Sequence, residues 1–176
     1  MKKTARLTLC AITAALAAAF MLTSYFPYLT YAIPGIAGLF MIMPLVEAGI
    51  GYAFASYAVS AAIAIISAEP EAAAVYICLL GYYPILKALI EKIRSRVLEW
   101  VIKFAVLNCS LGLIYAVTKF LMNISIDSFG ELGKYGVYIF MVLCNITFVF
   151  YDIAISKMGA LYMIRIHPQI KKLAKK

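Results

Sequence analysis

The chain has 176 residues, of which 65% are hydrophobic and 14% charged, and its mean hydropathy is +0.95. A water-soluble domain of this size cannot cover its surface with so few polar side chains, so the composition predicts a single integral membrane domain over residues 1–176. The formal net charge is +8. Because the basic residues lie beside long apolar runs and form no stripe on a polar surface, we expect no nucleic-acid partner.

Six apolar segments remain when the sequence is cut at charges, prolines and polar clusters, and a helix needs about 20 residues to cross the hydrocarbon core. Pro34 and Pro44 bracket the short second segment, so we expect it to be tilted, broken or only partly spanning. The sixth is longer than one crossing requires. The predicted fold class is an all-α integral membrane protein, a six-transmembrane-helix bundle with a short second and a long sixth helix. The segments run from Leu7 to Tyr25, Ala32 to Val46, Ala48 to Ser67, Glu71 to Leu89, Val97 to Asn123 and Gly136 to Ile166.

Lys and Arg residues predict the orientation, because basic residues in short connections are kept on the cytoplasmic side of the membrane. They form three groups: before the first span, around the joint between the fourth and fifth spans, and after the sixth span. Six crossings put all three groups on one side. We therefore expect a multi-pass protein of the cell membrane with both termini cytoplasmic. The groups are Lys2, Lys3 and Arg6; Lys87, Lys92, Arg94, Arg96 and Lys103; and Arg165, Lys171, Lys172, Lys175 and Lys176.

Motifs of nucleotide, metal and nucleophile chemistry are absent from the sequence. It has no glycine-rich phosphate loop with its lysine, no HExxH and no cluster of acidic residues. The four cysteines are scattered, and the single histidine, His167, follows the last span without a nucleophile in a recognisable setting. We expect no enzymatic activity, no cofactor and no metal site. If ATP drives a process here, another subunit hydrolyses it.

The first span carries a helix-packing pattern. Ala11, Ala15 and Ala19 form a small-xxx-small ridge, with Ala14 and Ala18 beside it, and such a ridge lets another helix approach closely. The ridge fits a contact inside the protein's own bundle or a contact with an external partner, and the sequence leaves both open.

The N-terminus also has a second interpretation. A basic start, a short apolar core and Ala17-Ala18-Ala19 fit a secretory signal with its cleavage site. The apolar run continues past these alanines, and the later segments already require a membrane protein. We therefore favour a first membrane span that is retained.

Polar side chains recur at helical spacing in the last three spans, where burying them in lipid is costly unless they face protein or water. Tyr138, Asn145 and Asp152 recur at intervals of seven residues on the sixth span, which places them on nearly one side of that helix. The same spacing of Tyr76 and Tyr83 predicts a shared face on the fourth span. We predict a cavity open to the outside, with a small-molecule substrate as partner. The alternative is hydrogen bonding between helices, with a buried ion pair at Asp152. The candidate binding residues within the spans are Tyr76, Tyr115, Lys119, Asn123, Tyr138, Asn145 and Asp152.

The layout resembles the substrate-binding S components of energy-coupling factor (ECF) transporters, small six-helix membrane proteins with both termini inside. The resemblance covers nearly the whole chain as architecture and little of it as motif. It implies that the ridge of Ala11, Ala15 and Ala19 docks on a membrane-embedded coupling subunit. The residues that carry it are Lys2-Lys3-Thr4-Ala5-Arg6 and the alanines from Ala11 to Ala19, the outward loop with Pro27, Tyr28, Tyr31 and Pro34, the second span ending at Pro44, and Gly49 with Gly51 in the third.

The resemblance further implies uptake of a vitamin, a related small organic molecule or a metal ion, driven by ATPase subunits. Tyr28 and Tyr31 would then be lid residues above the outer half of the bundle. The N-terminal His-rich site expected of nickel and cobalt versions is absent, so an organic ligand fits better, with tyrosine faces for stacking and Lys119 for a negative group. The alternative is a non-transporting scaffold similar to the cell-shape protein MreD, which binds other membrane proteins and would show a filled outer half.

Overall fold

A computed structural model describes residues 3–26, 28–121 and 136–173. Within these ranges the chain is helical and has no β-strand. A 3₁₀ turn spans Thr23–Tyr25, and a π-turn spans Tyr76–Leu80. The α-helices are α1 (Lys3–Leu22), α2 (Ala32–Leu39), α3 (Ile42–Glu47), α4 (Ile50–Ser67), α5 (Pro70–Val75), α6 (Tyr83–Ile90), α7 (Arg96–Leu121), α8 (Gly136–Arg165) and α9 (His167–Leu173).

Five helical segments of the described chain are long and apolar enough to cross a membrane. The remaining apolar segment, Ala32–Glu47, is shorter and comprises α2 and α3. The prediction of an all-helical protein with several helices long and apolar enough to cross a membrane is confirmed. The final apolar segment is also long, as predicted, since α8 alone has 30 residues. The five segments are Lys3–Tyr25, Ile50–Ser67, Pro70–Ile90, Arg96–Val117 and Met141–Lys171.

Prolines interrupt the second and fourth apolar segments. Pro44 has no N–H to donate to the carbonyl of Phe40, and the N–H of Met43 bonds that oxygen instead, at 3.2 Å. In the fourth segment, the N–H of Gly81 reaches back to the carbonyl of Tyr76 at 2.8 Å, which closes the π-turn before α6 restarts with Pro84 in its first turn. The interruption at Pro44 agrees with the break predicted for the second segment from its prolines.

Contacts between α1 and α4 fix the direction of the short second segment. Ser56, near the start of α4, donates to the carbonyl of Cys10 in the first half of α1, at 3.3 Å. The N–H of Glu69, just after α4, donates to Ser24 Oγ, just after α1, at 3.0 Å. The two helices therefore run parallel, and Ala32–Glu47 leads from the end where α1 finishes to the end where α4 begins, over roughly 24 Å of helix.

Several helix ends meet at one end of the bundle. Lys103 in α7 lies 3.4 Å from Glu91, which follows α6, and His167 at the start of α9 lies 2.7 Å from Glu47 at the end of α3. We call this the basic end, because the exposed side chains Lys92, Arg94, Arg96, Arg165 and Lys171 also lie there. At the opposite end, Tyr31 and Glu71 are joined by a hydrogen bond.

A close approach joins α2 to the π-turn and α8. The hydroxyl of Tyr151 donates to the carbonyl of Leu80 at 3.1 Å and to that of Gly35 at 3.3 Å. A Cβ at Gly38 would overlap the carbonyl oxygen of Leu80 and would lie 2.7 Å from the Tyr151 hydroxyl. Only glycine fits at position 38, so this residue sets the distance between α2 and the π-turn.

The apolar core has two parts. The first, between α1, α2, α4 and α5, includes Met21, Ala37 and Ala64. The second joins α3, α6, α7 and α8 and includes Leu107 and Phe148. Beyond this second part, towards the end opposite the basic end, the described side chains of α7 and α8 are largely exposed, among them Leu113, Tyr115, Val142 and Ile146.

Candidate functional site

Buried charges join α6, α7 and α8 near the basic end. Asp152 Oδ1 lies 2.6 Å from Lys87 Nζ and 3.2 Å from Lys103 Nζ. Asp152 is 4% exposed, Lys87 3% and Lys103 1%. Removing charged groups from water costs several kcal/mol per ion, about as much as a close pairing returns, so these three side chains depend on one another. With Glu91 and Glu99 they form what we call the charge cluster.

The other ion-pair partners of the Lys87 and Lys103 ammonium groups come from the neighbouring helical turns. Lys87 Nζ lies 2.8 Å from Glu91, and Lys103 Nζ lies 2.7 Å from Glu99. The Tyr83 hydroxyl donates to Asp152 Oδ1 at 2.6 Å. The Glu91 side chain is 43% exposed and that of Glu99 is 18% exposed. The cluster is therefore accessible to solvent on the side of the helix ends and buried at Asp152. The charge cluster has two lysines and three carboxylates, so its formal net charge is one negative charge.

The charge cluster lies near helix ends. Lys87 lies in the last turn of α6, and Glu99 lies in the first turn of α7. Both positions are within about 6 Å of a helix end. The cluster therefore holds three helices together near the basic end.

A second polar contact ties α3 to the end of α8. Glu47 Oε1 accepts a hydrogen bond from the Tyr162 hydroxyl at 3.3 Å and lies 2.7 Å from His167 Nδ1. The Glu47 side chain is 4% exposed. Among the described residues no group of three or more His, Cys, Asp or Glu side chains could hold a metal ion. The contacts of Glu47 join the end of α3 to the last turn of α8 and to the start of α9.

The structure distributes the described candidate residues over several places. Tyr76 is buried and its hydroxyl lies 2.8 Å from Ser60 Oγ on α4. Asn145 donates to the carbonyl of Met141 within α8, and half of Tyr115 is exposed on α7. Asp152 lies in the charge cluster. The ion pair considered at Asp152 is present, and the substrate-binding role of these residues stays a prediction. Lys119, Asn123 and Tyr138 lie outside the described side chains.

The two candidate lid residues lie at the opposite end. Tyr28 is fully exposed, at 101%, and has a positive φ of 71°, which is uncommon for a residue with a side chain. The Tyr31 hydroxyl donates to Glu71 Oε2 at 2.9 Å, and partial burial, followed by the nearby Glu71 carboxylate, raises the pKa of Tyr31 to about 12. The neutral Tyr31 hydroxyl therefore joins the loop before α2 to α5. Tyr28 projects from the surface.

The alanine ridge of α1 faces outward. Ala11, Ala15 and Ala19 are exposed, whereas Ala14 and Ala18 are buried. The buried alanines lie on the side of the helix that packs in the protein's own bundle. The described structure therefore leaves the ridge uncovered.

Sequence reasoning missed most of the charge cluster. It assigned Lys87 and Lys103 to the basic group between the fourth and fifth spans, and the structure buries both. A signal was present, because Lys87 and Glu91 are four residues apart in sequence, as are Glu99 and Lys103, and this spacing places opposite charges together on a helix.

In comparisons with known proteins, no family model, no curated protein and no solved structure matches the chain.

Proposed function

We propose that this protein is the substrate-binding membrane subunit of an ATP-driven uptake system of the S-component type. It takes a small, vitamin-like organic molecule from the outside. Its partners are a membrane coupling subunit and ATPase subunits. The observation that carries this proposal is the outward-facing ridge of Ala11, Ala15 and Ala19 on α1.

The ridge is shaped to receive another helix. In lipid, helices associate through close packing, and small side chains let their backbones approach. The protein's own bundle uses Ala14 and Ala18 for this purpose and leaves the ridge bare. The ridge is bordered on one side by larger exposed side chains, Ile12, Leu16 and Phe20. The alanines therefore form a shallow strip beside these residues. Such a strip suits a coupling subunit that docks along α1.

A six-pass topology with both termini cytoplasmic is part of the proposal. The parallel course of α1 and α4 supports it, because Ala32–Glu47 then carries the chain back across the bundle as a sixth pass. The exposed basic residues support the orientation, since Lys92, Arg94 and Arg96 lie at the same end as Arg165.

The proposed substrate site lies at the end opposite the basic end. The exposed described side chains of α7 and α8 near this end leave surface for a ligand, and the exposed Tyr28 is the proposed lid residue. Tyr76 and Asp152 are joined to side chains on other helices, so in this proposal they position the helices around the site. The ligand contacts then belong to Tyr115, Lys119, Asn123, Tyr138 and Asn145.

A membrane scaffold is the second candidate. It is favoured by the fact that Tyr76, Asn145 and Asp152 each have a hydrogen-bond or ion-pair partner within the protein. In this reading the alanine ridge holds another membrane protein and no solute is carried.

Purification from the native membrane distinguishes the two candidates. We expect mass spectrometry to recover a small organic molecule together with a membrane coupling subunit and ATPases. Recovery of protein partners without a ligand would favour the scaffold. Recovery of neither would contradict the uptake proposal.

We expect Ala15→Trp to reduce the recovered coupling subunit at least tenfold, because the indole would hold the docking helix away from the ridge. Quantitative mass spectrometry of the purified complex measures this. The matched control is Leu16→Trp, which places the same side chain about 100° around the helix, beside the ridge. Equal recovery of the coupling subunit from both variants would show that the ridge is not the docking surface.

A further inference from the structure

We infer that the first turns of α7 bind an anionic phospholipid. A shallow, widely open groove lies there along one face of α7, and its lining residues are Arg96, Val97, Trp100, Val101 and Phe104. We call it the α7 groove. It has one cationic side chain at its start, and the rest of its lining is apolar. This order of charge and apolar surface matches a lipid headgroup followed by an acyl chain.

The basic side chains near the groove are available to an anion. Lys92, Arg94 and Arg96 are all exposed. The salt bridges of the described residues engage Lys87, Lys103 and His167 and none of these three. The carboxylates closest in sequence, Glu91 and Glu99, are already paired in the charge cluster. Against the one excess negative charge of the cluster, these three residues leave two net positive charges beside the groove.

The apolar part of the groove lies along a membrane-crossing helix. Val97 is 76% exposed and Val101 57%, and the Trp100 and Phe104 rings lie 5.7 Å apart between their centroids. The Lys103 ammonium lies 5.1 Å from the centre of the Trp100 ring and so helps to fix the indole. From Arg96 to Phe104 the groove extends about 12 Å along the helix axis, which is enough for the first part of an acyl chain.

The position of the α7 groove favours a lipid as its ligand over a soluble anion or a protein. Arg96 begins a candidate membrane span, so the groove starts at headgroup depth and continues into hydrocarbon. Basic sites at this depth attract anionic headgroups, and tryptophan favours the same interface. The inference does not depend on the uptake proposal, because it requires only that α7 crosses the membrane.

Native mass spectrometry of the full chain, titrated with phosphatidylglycerol or phosphatidylcholine, tests the inference. We expect one retained phosphatidylglycerol, bound at least tenfold more tightly than phosphatidylcholine. Arg96→Gln should weaken phosphatidylglycerol binding about five- to tenfold. Val101→Trp should weaken binding of both lipids, because the indole fills the groove. Excess free glycerol phosphate should displace nothing, since it lacks the acyl chain.

The matched control is Arg165→Gln, which removes the same charge at the basic end but away from the groove. It should leave phosphatidylglycerol binding within twofold of the unmodified chain. Equal weakening by Arg165→Gln and Arg96→Gln would overturn the inference, since binding would then be diffuse. Equal affinity for the two lipids would overturn it as well.

A photo-crosslinking amino acid in place of Val97 identifies the molecule that contacts the groove in native membranes. This test does not rely on a variant that weakens binding. Labelling of phospholipid supports the inference. Labelling of a polypeptide would overturn it and would identify the groove as a protein interface.

Discussion

Asp152→Asn is expected to lower the free energy of unfolding by about 3–5 kcal/mol, because it leaves two buried ammonium groups without their shared carboxylate. Lys87 and Lys103 would keep only the partly exposed Glu91 and Glu99 as partners. The Tyr83 hydroxyl would also lose its charged acceptor. Unfolding in mixed micelles, followed by tryptophan fluorescence against denaturing detergent, measures the change.

Lys157→Gln is the matched control for this prediction, since it removes a charge from an exposed position on the same helix. It should change stability by less than about 0.5 kcal/mol. A combined change of Asp152→Leu, Lys87→Met and Lys103→Met should recover most of the loss, because apolar replacement of a whole buried ion group is often neutral or stabilising. If the Asp152→Asn protein has the same free energy of unfolding as the Lys157→Gln protein, the charge cluster does not hold these helices together.

Gly38→Ala is expected to destabilise the protein by about 1–3 kcal/mol through overpacking. The added methyl group would overlap the carbonyl oxygen of Leu80 and would crowd the Tyr151 hydroxyl. Leu80 belongs to the π-turn, whose Gly81 N–H is bonded to the Tyr76 carbonyl at 2.8 Å, so the oxygen cannot yield without breaking that turn. The midpoint of thermal unfolding in detergent measures the effect.

Gly51→Ala provides the comparison, because a Cβ there has no atom within 4 Å and a helical alanine is favoured over glycine by up to about 1 kcal/mol. The two glycine variants should therefore shift the midpoint in opposite directions. A Gly38→Ala protein that is as stable as Gly51→Ala would mean that α2 does not pack against the π-turn.

Much of the helical layout could be predicted from sequence, because lipid demands long apolar helices and proline breaks them in a known way. The breaks near Pro44 and Pro84 follow from their missing N–H groups. The pairing of α1 with α4 could not be predicted. In a membrane both the buried and the lipid-facing sides of a helix are apolar, so periodicity does not say which side packs.

The fourth segment shows why the candidate site was harder to predict. A spacing of seven residues places Tyr76 and Tyr83 on one face of a regular helix, and the sequence analysis predicted a shared stripe. That prediction was wrong. The π-turn and the restart at Pro84 change the rotation between the two residues, so that Tyr76 contacts Ser60 on α4 and Tyr83 contacts Asp152 on α8. The local Lys–Glu spacings were visible in the sequence, but their partner Asp152 is 49 residues beyond Lys103.

This separation has a consequence for biosynthesis. The segment from Lys87 to Lys103 contains two lysines and two glutamates of the charge cluster, so these four side chains can pair with one another before Asp152 is made. Asp152 leaves the ribosome roughly 2–10 s later, at about 5–20 residues per second. Until that moment the two ammonium groups have only the partly exposed carboxylates of Glu91 and Glu99 as partners. The charge cluster is thus completed only once α8 has been made.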